Sequence, residues 1–118
     1  MTQPDTSRKL RLGAFIMATG HHIAAWRHPG SQADAGVNID HYIELAQTAE
    51  RGLFDQVFVA DSPGVWHKGD RESFSRQGRL SHFEPVTLWA ALSAVTKHIG
   101  FVACLLYTSP SPRDKRQS

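Results

Sequence analysis

Three short apolar segments alternate with two helical patterns, and this order is what most constrains the fold. The segments are KLRLGAFIM (9–17), FDQVFVA (54–60) and IGFVA (99–103). Their nearly continuous apolar character is typical of strands that are covered on both faces. Because the intervening stretches are long enough to hold a helix, the strands are predicted to be parallel and joined by helical crossovers. The order therefore predicts an α/β fold.

Both helical patterns carry recognisable ends. In NIDHYIELAQTAERG (38–52), Asn38 is expected to cap the helix, Asp40 to complement its positive end, and Gly52 to adopt a left-handed terminating conformation. In EPVTLWAALSAVTKH (84–98), Pro85 suits the first turn. The predicted apolar faces are Ile39, Tyr42, Ile43, Ala46 and Ala49 in the first helix and Leu88, Trp89, Leu92 and Val95 in the second.

The connections between these elements are very unequal in length. The helix-to-strand joints at Gly52 and at His98 are very short, whereas the strand-to-helix loops, 18–37 and 61–83, have about twenty residues each. Loops of that length are usually functional when they are ordered. Since the carboxyl ends of parallel strands meet at one edge, we expect both loops to lie on one face and to form a site there.

Two α/β architectures compete for this pattern. A doubly wound nucleotide-binding fold would carry Gly-x-Gly-x-x-Gly after its first strand, but the chain has MATGHHIAA there. A phosphate-binding Gly-x-x-x-x-Gly-Lys-Ser/Thr loop is also missing from the sequence. We therefore predict the N-terminal three strands and two helices of a (β/α)8 TIM barrel, truncated after the third strand.

Charge and composition exclude several function classes. The net charge of +2 resides in the last fifteen residues, because the preceding 103 hold ten basic and ten acidic side chains. No nucleic-acid partner is therefore expected. No apolar run is long enough for a membrane span, and the N-terminus lacks a signal-peptide core, so a cytoplasmic location is predicted. Cys104, the single cysteine, excludes an internal disulfide and a cysteine-based zinc finger.

The last fifteen residues read differently from the rest. CLLYTSPSPRDKRQS (104–118) resembles the out-of-frame translation of a transposase-type sequencing adapter; the alternative is a disordered tail. We expect a frayed N-terminus (1–8), a native region (9–103) and a non-native tail (104–118). The natural protein is then expected to continue beyond Ala103.

Three longer stretches resemble one enzyme family. GAFIMATGHHIAAWRHP, ERGLFDQVFVADS and FEPVTLWAALSAVTKHIGFVA are similar to the bacterial luciferase-like flavin monooxygenases. The HH…AWRHP loop points to the branch of nitrilotriacetate, dibenzothiophene-sulfone and long-chain-alkane monooxygenases. The resemblance covers about 10–103. It implies a barrel that takes reduced FMN from a separate NAD(P)H-dependent flavin reductase and uses O₂ to oxygenate a small organic substrate. A homo-oligomer is expected.

The resemblance assigns four site residues. Ala60 and Asp61 match the segment that lies against the flavin, and Met17 lies near the ring by the same analogy. His21 matches a pocket histidine and is the predicted catalytic residue, because an imidazole can hydrogen-bond the reacting oxygen or the substrate. An alternative for Asp61 is a turn-forming or helix-capping role.

The remaining histidines and the aromatic pair of the first loop have simpler interpretations. His22 and His28 are expected to be solvated, and no metal is expected because the loop offers neither helical spacing nor acidic partners. Trp26 and Arg27 either pack under the loop, with Arg27 in an ion pair, or form a pocket wall with an anion contact. His41, His82 and His98 are expected to be structural. A solvated face is favoured for the second-loop residues Trp66, His67, Lys68, Arg71, Arg76 and Arg79.

Three functions remain open at this point. They are an FMN-dependent monooxygenase, a deazaflavin (F420)-dependent oxidoreductase of the same superfamily, and a non-catalytic flavin-binding subunit. The 118-residue chain itself is expected to be inactive and prone to aggregation, since three strands leave a barrel unclosed.

Overall fold

The computed structural model describes residues 9–22, 24–61, 72 and 81–104. The predicted frayed N-terminus, most of the second loop and the tail after Cys104 lie outside these residues. The elements are β1 (Gly13–Ile16), a 3-10 helix (Ala25–Arg27), α1 (Ile39–Arg51), β2 (Gln56–Val59), α2 (Pro85–Ser93) and β3 (Gly100–Ala103). The 3-10 helix was not predicted from the sequence.

The three strands form one parallel sheet in the order β1-β2-β3. Phe15 pairs with Phe58, which in turn pairs with Val102. The parallel α/β arrangement predicted from the alternation of strands and helices is therefore confirmed. Each strand has four paired residues, fewer than the apolar segments suggested, because the outer parts of those segments lead into loops.

One face of the sheet packs against the two helices. Ile16, Val57 and Val59 are buried on this face. Side chains alternate along a strand, so Phe101 shares the face, where its ring lies 5.0 Å from that of Trp89. Trp89 also donates a hydrogen bond from Nε1 to the Val102 carbonyl at 3.0 Å. The buried cluster comprises Ile16, Tyr42, Ala46, Val57, Val59, Leu88, Trp89, Leu92 and Ile99.

The other face of the sheet stays open within the described residues. Phe15 is 48% exposed and Val102 is 37% exposed, and the rings of Phe15 and Phe58 lie 4.9 Å apart. The paired row of Phe15, Phe58 and Val102 is thus an apolar stripe on this open face. The sequence predicted strands covered on both sides, and the described part covers them on one side only.

The ends of α1 confirm two predictions and correct a third. Asn38 caps the helix by accepting a hydrogen bond from the His41 N–H at 3.2 Å, and Asp40 lies in the first turn. The predicted left-handed Gly52 is wrong, because its φ is −76° and Leu53 takes the left-handed conformation with φ 60°. The Phe54 N–H bonds back to Ala49 O at 3.0 Å, which places the left-handed position of this Schellman-type end one residue later than predicted.

Helix α2 is shorter than its sequence pattern. Glu84 caps it by accepting from the N–H groups of Val86 and Thr87 at 2.9 and 2.8 Å, and Pro85 occupies the first turn as predicted. Val95 was predicted to be buried and is 40% exposed, because the helix ends at Ser93 and the chain leaves the helical stripe. No helix of the described residues is long and apolar enough to cross a membrane.

The amino ends of the strands are held by two carboxylates. Asp55 accepts from Arg11 Nη1 and from the Leu12 N–H, both at 2.8 Å, and these bonds lower the pKa of Asp55. Glu50 Oε1 accepts from the backbone N–H groups of residues 97–99, which lead into β3. Those backbone donors, that of His98 first, lower the pKa of Glu50. Both contacts lie at the end of the sheet opposite the long loops.

Candidate functional site

The predicted flavin-contacting residues follow two neighbouring strands. Ile16 pairs with Val59 as the last register pair of β1 and β2, so Met17 and Ala60 each come directly after it. Met17 is partly buried, Ala60 is exposed, and Asp61 is 9% exposed. The parallel sheet therefore brings Met17, Ala60 and Asp61 to its carboxyl edge, as the sequence predicted.

His21 lies beside the same edge, on the open side of β1. Its Nε2–H donates to the Phe15 carbonyl at 2.9 Å, and its ring meets the Phe15 ring edge-on with centroids 4.6 Å apart. Leu12 O accepts from the β2 residue Gln56, so alternation along a parallel strand turns Phe15 O to the other edge of β1. A carbonyl can only accept, so the neutral ring carries its proton on Nε2 and Nδ1 is the basic nitrogen.

A cleft with a volume of about 540 Å³ lies between the first loop and α1. This volume is within the range of small-molecule sites. Met17 lines the cleft from the end of β1, and Leu45 lines it from α1. The full lining is Met17, Ala18, Thr19, Gly20, Ala25, His28, Gly30, Ser31, Gln32, His41 and Leu45.

The other histidines of the first loop and α1 make backbone contacts. His22 Nδ1 accepts from the Ala24 N–H at 3.1 Å, His28 Nδ1 accepts from the Gly30 N–H at 3.0 Å, and both side chains are exposed. His41 Nε2–H donates to the Ala18 carbonyl at 2.9 Å. Sequence reasoning treated His41 as structural and missed its place in the cleft wall. Its position in the first turn of the helix that follows the loop was the available signal.

Trp26 and Arg27 form a pair within the first loop. The Arg27 guanidinium lies 5.1 Å from the centre of the Trp26 ring, and Trp26 is only partly buried. In the part of the chain that the structure describes, the ion pair found is Arg11–Asp55, so the expected ion pair of Arg27 is not seen there. Arg27 covers Trp26 by a cation–π contact instead.

The two long loops meet where each one ends. A Cβ atom built on Gly36 would collide with the Ser81 carbonyl oxygen, so only glycine permits this approach of the two backbones. Ala35 is fully buried next to it, and the rings of Tyr42 and Phe83 meet edge-on at 5.8 Å. The ends of both loops are therefore fixed against each other at the start of α1.

Metal coordination has no candidate cluster in the described ranges. No group of three His, Cys, Asp or Glu side chains there is placed to hold an ion. The predicted second-loop residues Trp66, His67, Lys68, Arg71, Arg76 and Arg79 lie outside those ranges. His82 and His98 are described and exposed.

Parallel strands, a cleft at their carboxyl edge and long loops above it define an α/β protein of the barrel-enzyme type. The sequence model of the luciferase-like monooxygenase family matches residues 14–111, and the chain belongs to this family. The family resemblance seen in the sequence is thereby confirmed. The match also reaches beyond Ala103, into the segment that the sequence suggested was non-native.

Named relatives carry the same family character. The chain is 45% identical over 109 residues to N-acetyl-S-(2-succino)cysteine monooxygenase of Bacillus subtilis, covering 91% of this chain and 23% of that protein. It is 50% identical over 101 residues to one of the subunits of pristinamycin IIA synthase from Streptomyces pristinaespiralis, covering 85% and 23%. Identity to nitrilotriacetate monooxygenase component A of Aminobacter aminovorans is 34% over 112 residues, covering 90% and 25%. The chain thus spans about a quarter of the length of these relatives.

Solved structures agree with the fold. DmoA from Hyphomicrobium sulfonivorans superposes with a TM-score of 0.68 at 33% identity, covering 80% of this chain and 21% of that one. A riboflavin lyase structure with modified FMN and riboflavin superposes with a TM-score of 0.67 at 30% identity, covering 81% and 23%.

Proposed function

We propose that the intact protein, of which this chain is the N-terminal part, is an FMN-dependent two-component monooxygenase. It takes reduced FMN from a separate NAD(P)H-dependent flavin reductase and uses O₂ to oxygenate a small organic substrate. The observation that carries this proposal is the gathering of Met17, Ala60, Asp61 and His21 at one carboxyl edge beside a cleft. Family membership and the monooxygenase names of relatives support it.

The proposed scaffold is a closed (β/α)8 barrel. The open stripe of Phe15, Phe58 and Val102 supports this, because inward-facing residues of neighbouring barrel strands form such packed layers. Further strands would cover the stripe and remove the free edges of the sheet. In this proposal the native region ends at Ala103 and the residues from Cys104 onward replace the natural continuation.

The described residues fit the ring of FMN better than its phosphate. Met17 offers an apolar surface at the cleft, and the small side chain of Ala60 allows a flat ring to approach the backbone. The cleft lining given by the described residues contains no arginine or lysine, so the phosphate is assigned to other parts of the protein. When bound, reduced FMN supplies the electrons that activate O₂.

His21 and Asp61 are the polar groups proposed for this edge. His21 is exposed and oriented by the Phe15 carbonyl, so its imidazole is placed to hold or move a proton during oxygenation. Asp61 is nearly buried, and we assign it to holding the backbone at the end of β2 or to accepting a hydrogen bond from the flavin. The first loop covers the cleft and helps to exclude water.

Cofactor reconstitution of the intact protein tests the proposal. We expect FMN to bind and the protein with reduced FMN to consume O₂, with no turnover when the deazaflavin F420 replaces FMN. Activity with F420 alone would assign the deazaflavin alternative. Binding of FMN without O₂ consumption above the free-flavin rate would assign the non-catalytic role, and lack of binding would refute the proposal.

A further inference from the structure

We propose that His41 is a positioning residue for the flavin site. Its imidazole holds the backbone at Ala18, and through it the adjacent Met17, in the orientation that the ring of FMN requires. This inference rests on the proposed function, and nothing in the family resemblance assigned His41 a role in the site. The contact that carries it is the hydrogen bond from Nε2–H to Ala18 O at 2.9 Å.

The bond joins two elements that are distant in sequence. His41 is in the first turn of α1, whereas Ala18 is the second residue after β1, and their sequence separation is 23. Both residues line the cleft together with Met17. A displacement of the Ala18 carbonyl would therefore move Met17 and the wall of the cleft at the same time.

The far end of the first loop is attached to the same helical turn. Asn38 Nδ2 donates to Asp34 Oδ2 at 3.0 Å, and Asn38 Oδ1 accepts from the His41 backbone N–H. Gln32 also donates to the Asp34 carboxylate, and its bond and that of Asn38 lower the pKa of Asp34. Both ends of loop 18–37 are thus fixed at the start of α1, as in a compact Ω-loop.

The attachment also bears on His21. The Gly20 N–H donates to Met17 O at 2.9 Å, so a tight turn connects Met17 to the residue just before His21. Gly20 has φ +94°, a conformation that glycine adopts readily. Because this turn starts next to Ala18, the His41 contact fixes the point from which the chain reaches His21.

The test compares three substitutions at this position in the intact protein. His41→Leu removes the donor, His41→Asn is too short to reach Ala18 O, and His41→Gln places an N–H donor near the position of Nε2. His98→Leu is the matched control, since His98 is exposed at the opposite end of the sheet. The readouts are the FMN dissociation constant from flavin fluorescence, the Tm, and the rate of proteolysis within loop 18–37.

We expect His41→Leu and His41→Asn to weaken FMN binding about tenfold or more and to speed loop cleavage, because small misplacements of a site are costly. His41→Gln is expected to restore both within about twofold, and His98→Leu to change neither. Unchanged binding and cleavage in His41→Leu, no rescue by glutamine, or unfolding of all three variants would overturn the proposal. If the wild-type protein binds no FMN, the proposed function fails, whereas the cleavage rates still decide whether His41 holds the loop.

Discussion

Glu50 and His98 are joined across the amino end of the sheet by a hydrogen bond of 2.6 Å from the His98 N–H to Glu50 Oε1. The same oxygen accepts from the N–H groups of Lys97 and Ile99. One carboxylate at the end of α1 therefore satisfies three successive donors in the joint that leads into β3. This joint is short because the carboxylate turns the chain there.

Glu50→Gln is expected to lower the stability of the intact protein at neutral pH, since an amide accepts these bonds less well than a carboxylate. The folded state lowers the pKa of Glu50 from 4.5, so its stabilisation is fully present above that value and is lost as the pH falls through the lower folded pKa. The measurement is Tm against pH for both proteins. Glu44→Gln, on an exposed position of the same helix, should match the wild type; a pH-independent deficit in Glu50→Gln would contradict the assignment.

Leu92→Ala is expected to cost about 2–5 kcal/mol of unfolding free energy, because Leu92 is fully buried between α2 and the sheet. Val86→Ala on the same helix is the control. Val86 is 47% exposed, so its truncation is expected to stay within about 0.5 kcal/mol. Urea denaturation of the intact protein measures both. Equal losses in the two variants would show that the packing of α2 differs from the one described.

Leu53→Gly is expected to stabilise the intact protein by about 1 kcal/mol, because Leu53 has φ 60° and glycine adopts this conformation without strain. The leucine side chain is 84% exposed, so little packing is lost. Ala90→Gly, at an exposed helical position, is expected to have the opposite sign, with a loss of about 0.5–1 kcal/mol. Destabilisation by Leu53→Gly, read from urea midpoints, would mean that Leu53 packs against residues outside the described part.

His21→Ala is expected to slow the oxidation of reduced FMN by O₂ in the intact protein about a hundredfold, the usual weight of a positioned proton-transfer group. His22→Ala is the matched control, because His22 is the adjacent residue and contacts only the Ala24 N–H among the described groups. Stopped-flow absorbance of the flavin gives both rates. Equal rates in the two variants would remove His21 from the chemistry.

The 118-residue chain alone is expected to self-associate and to bind no FMN, because Phe15 and Val102 expose the open apolar face of the sheet. Light scattering and flavin fluorescence test this. Phe15→Thr is expected to reduce association, whereas Thr48→Val, on the exposed surface of α1, is not. A monomeric chain with a cooperative melt and bound FMN would contradict the expectation.

The sequence predicted what depends on local patterns. The cap at Asn38, the first-turn Pro85 and the parallel order of the strands follow from side-chain chemistry within a few residues or from the succession of elements. The left-handed residue was misplaced at Gly52 because glycine is usually found there, whereas the backbone hydrogen bonds put Leu53 in that position.

The candidate site was predicted in outline only. The topology brings Met17 and Ala60 to one edge, and this follows from strand order. The contacts of His41 with Ala18 and of His21 with Phe15 O join side chains to backbone across loops without periodicity. Such contacts depend on the folded path of the loop, so spacing along the sequence carries no signal for them.

The close approach of Gly36 to the Ser81 carbonyl has an evolutionary consequence. The two segments above the sheet cannot change length or course independently near this point, since a larger residue at position 36 or a shifted Ser81 would disturb both. Diversification of substrate range among descendants of this protein should therefore leave the Gly36–Ser81 junction intact and concentrate insertions farther along each segment.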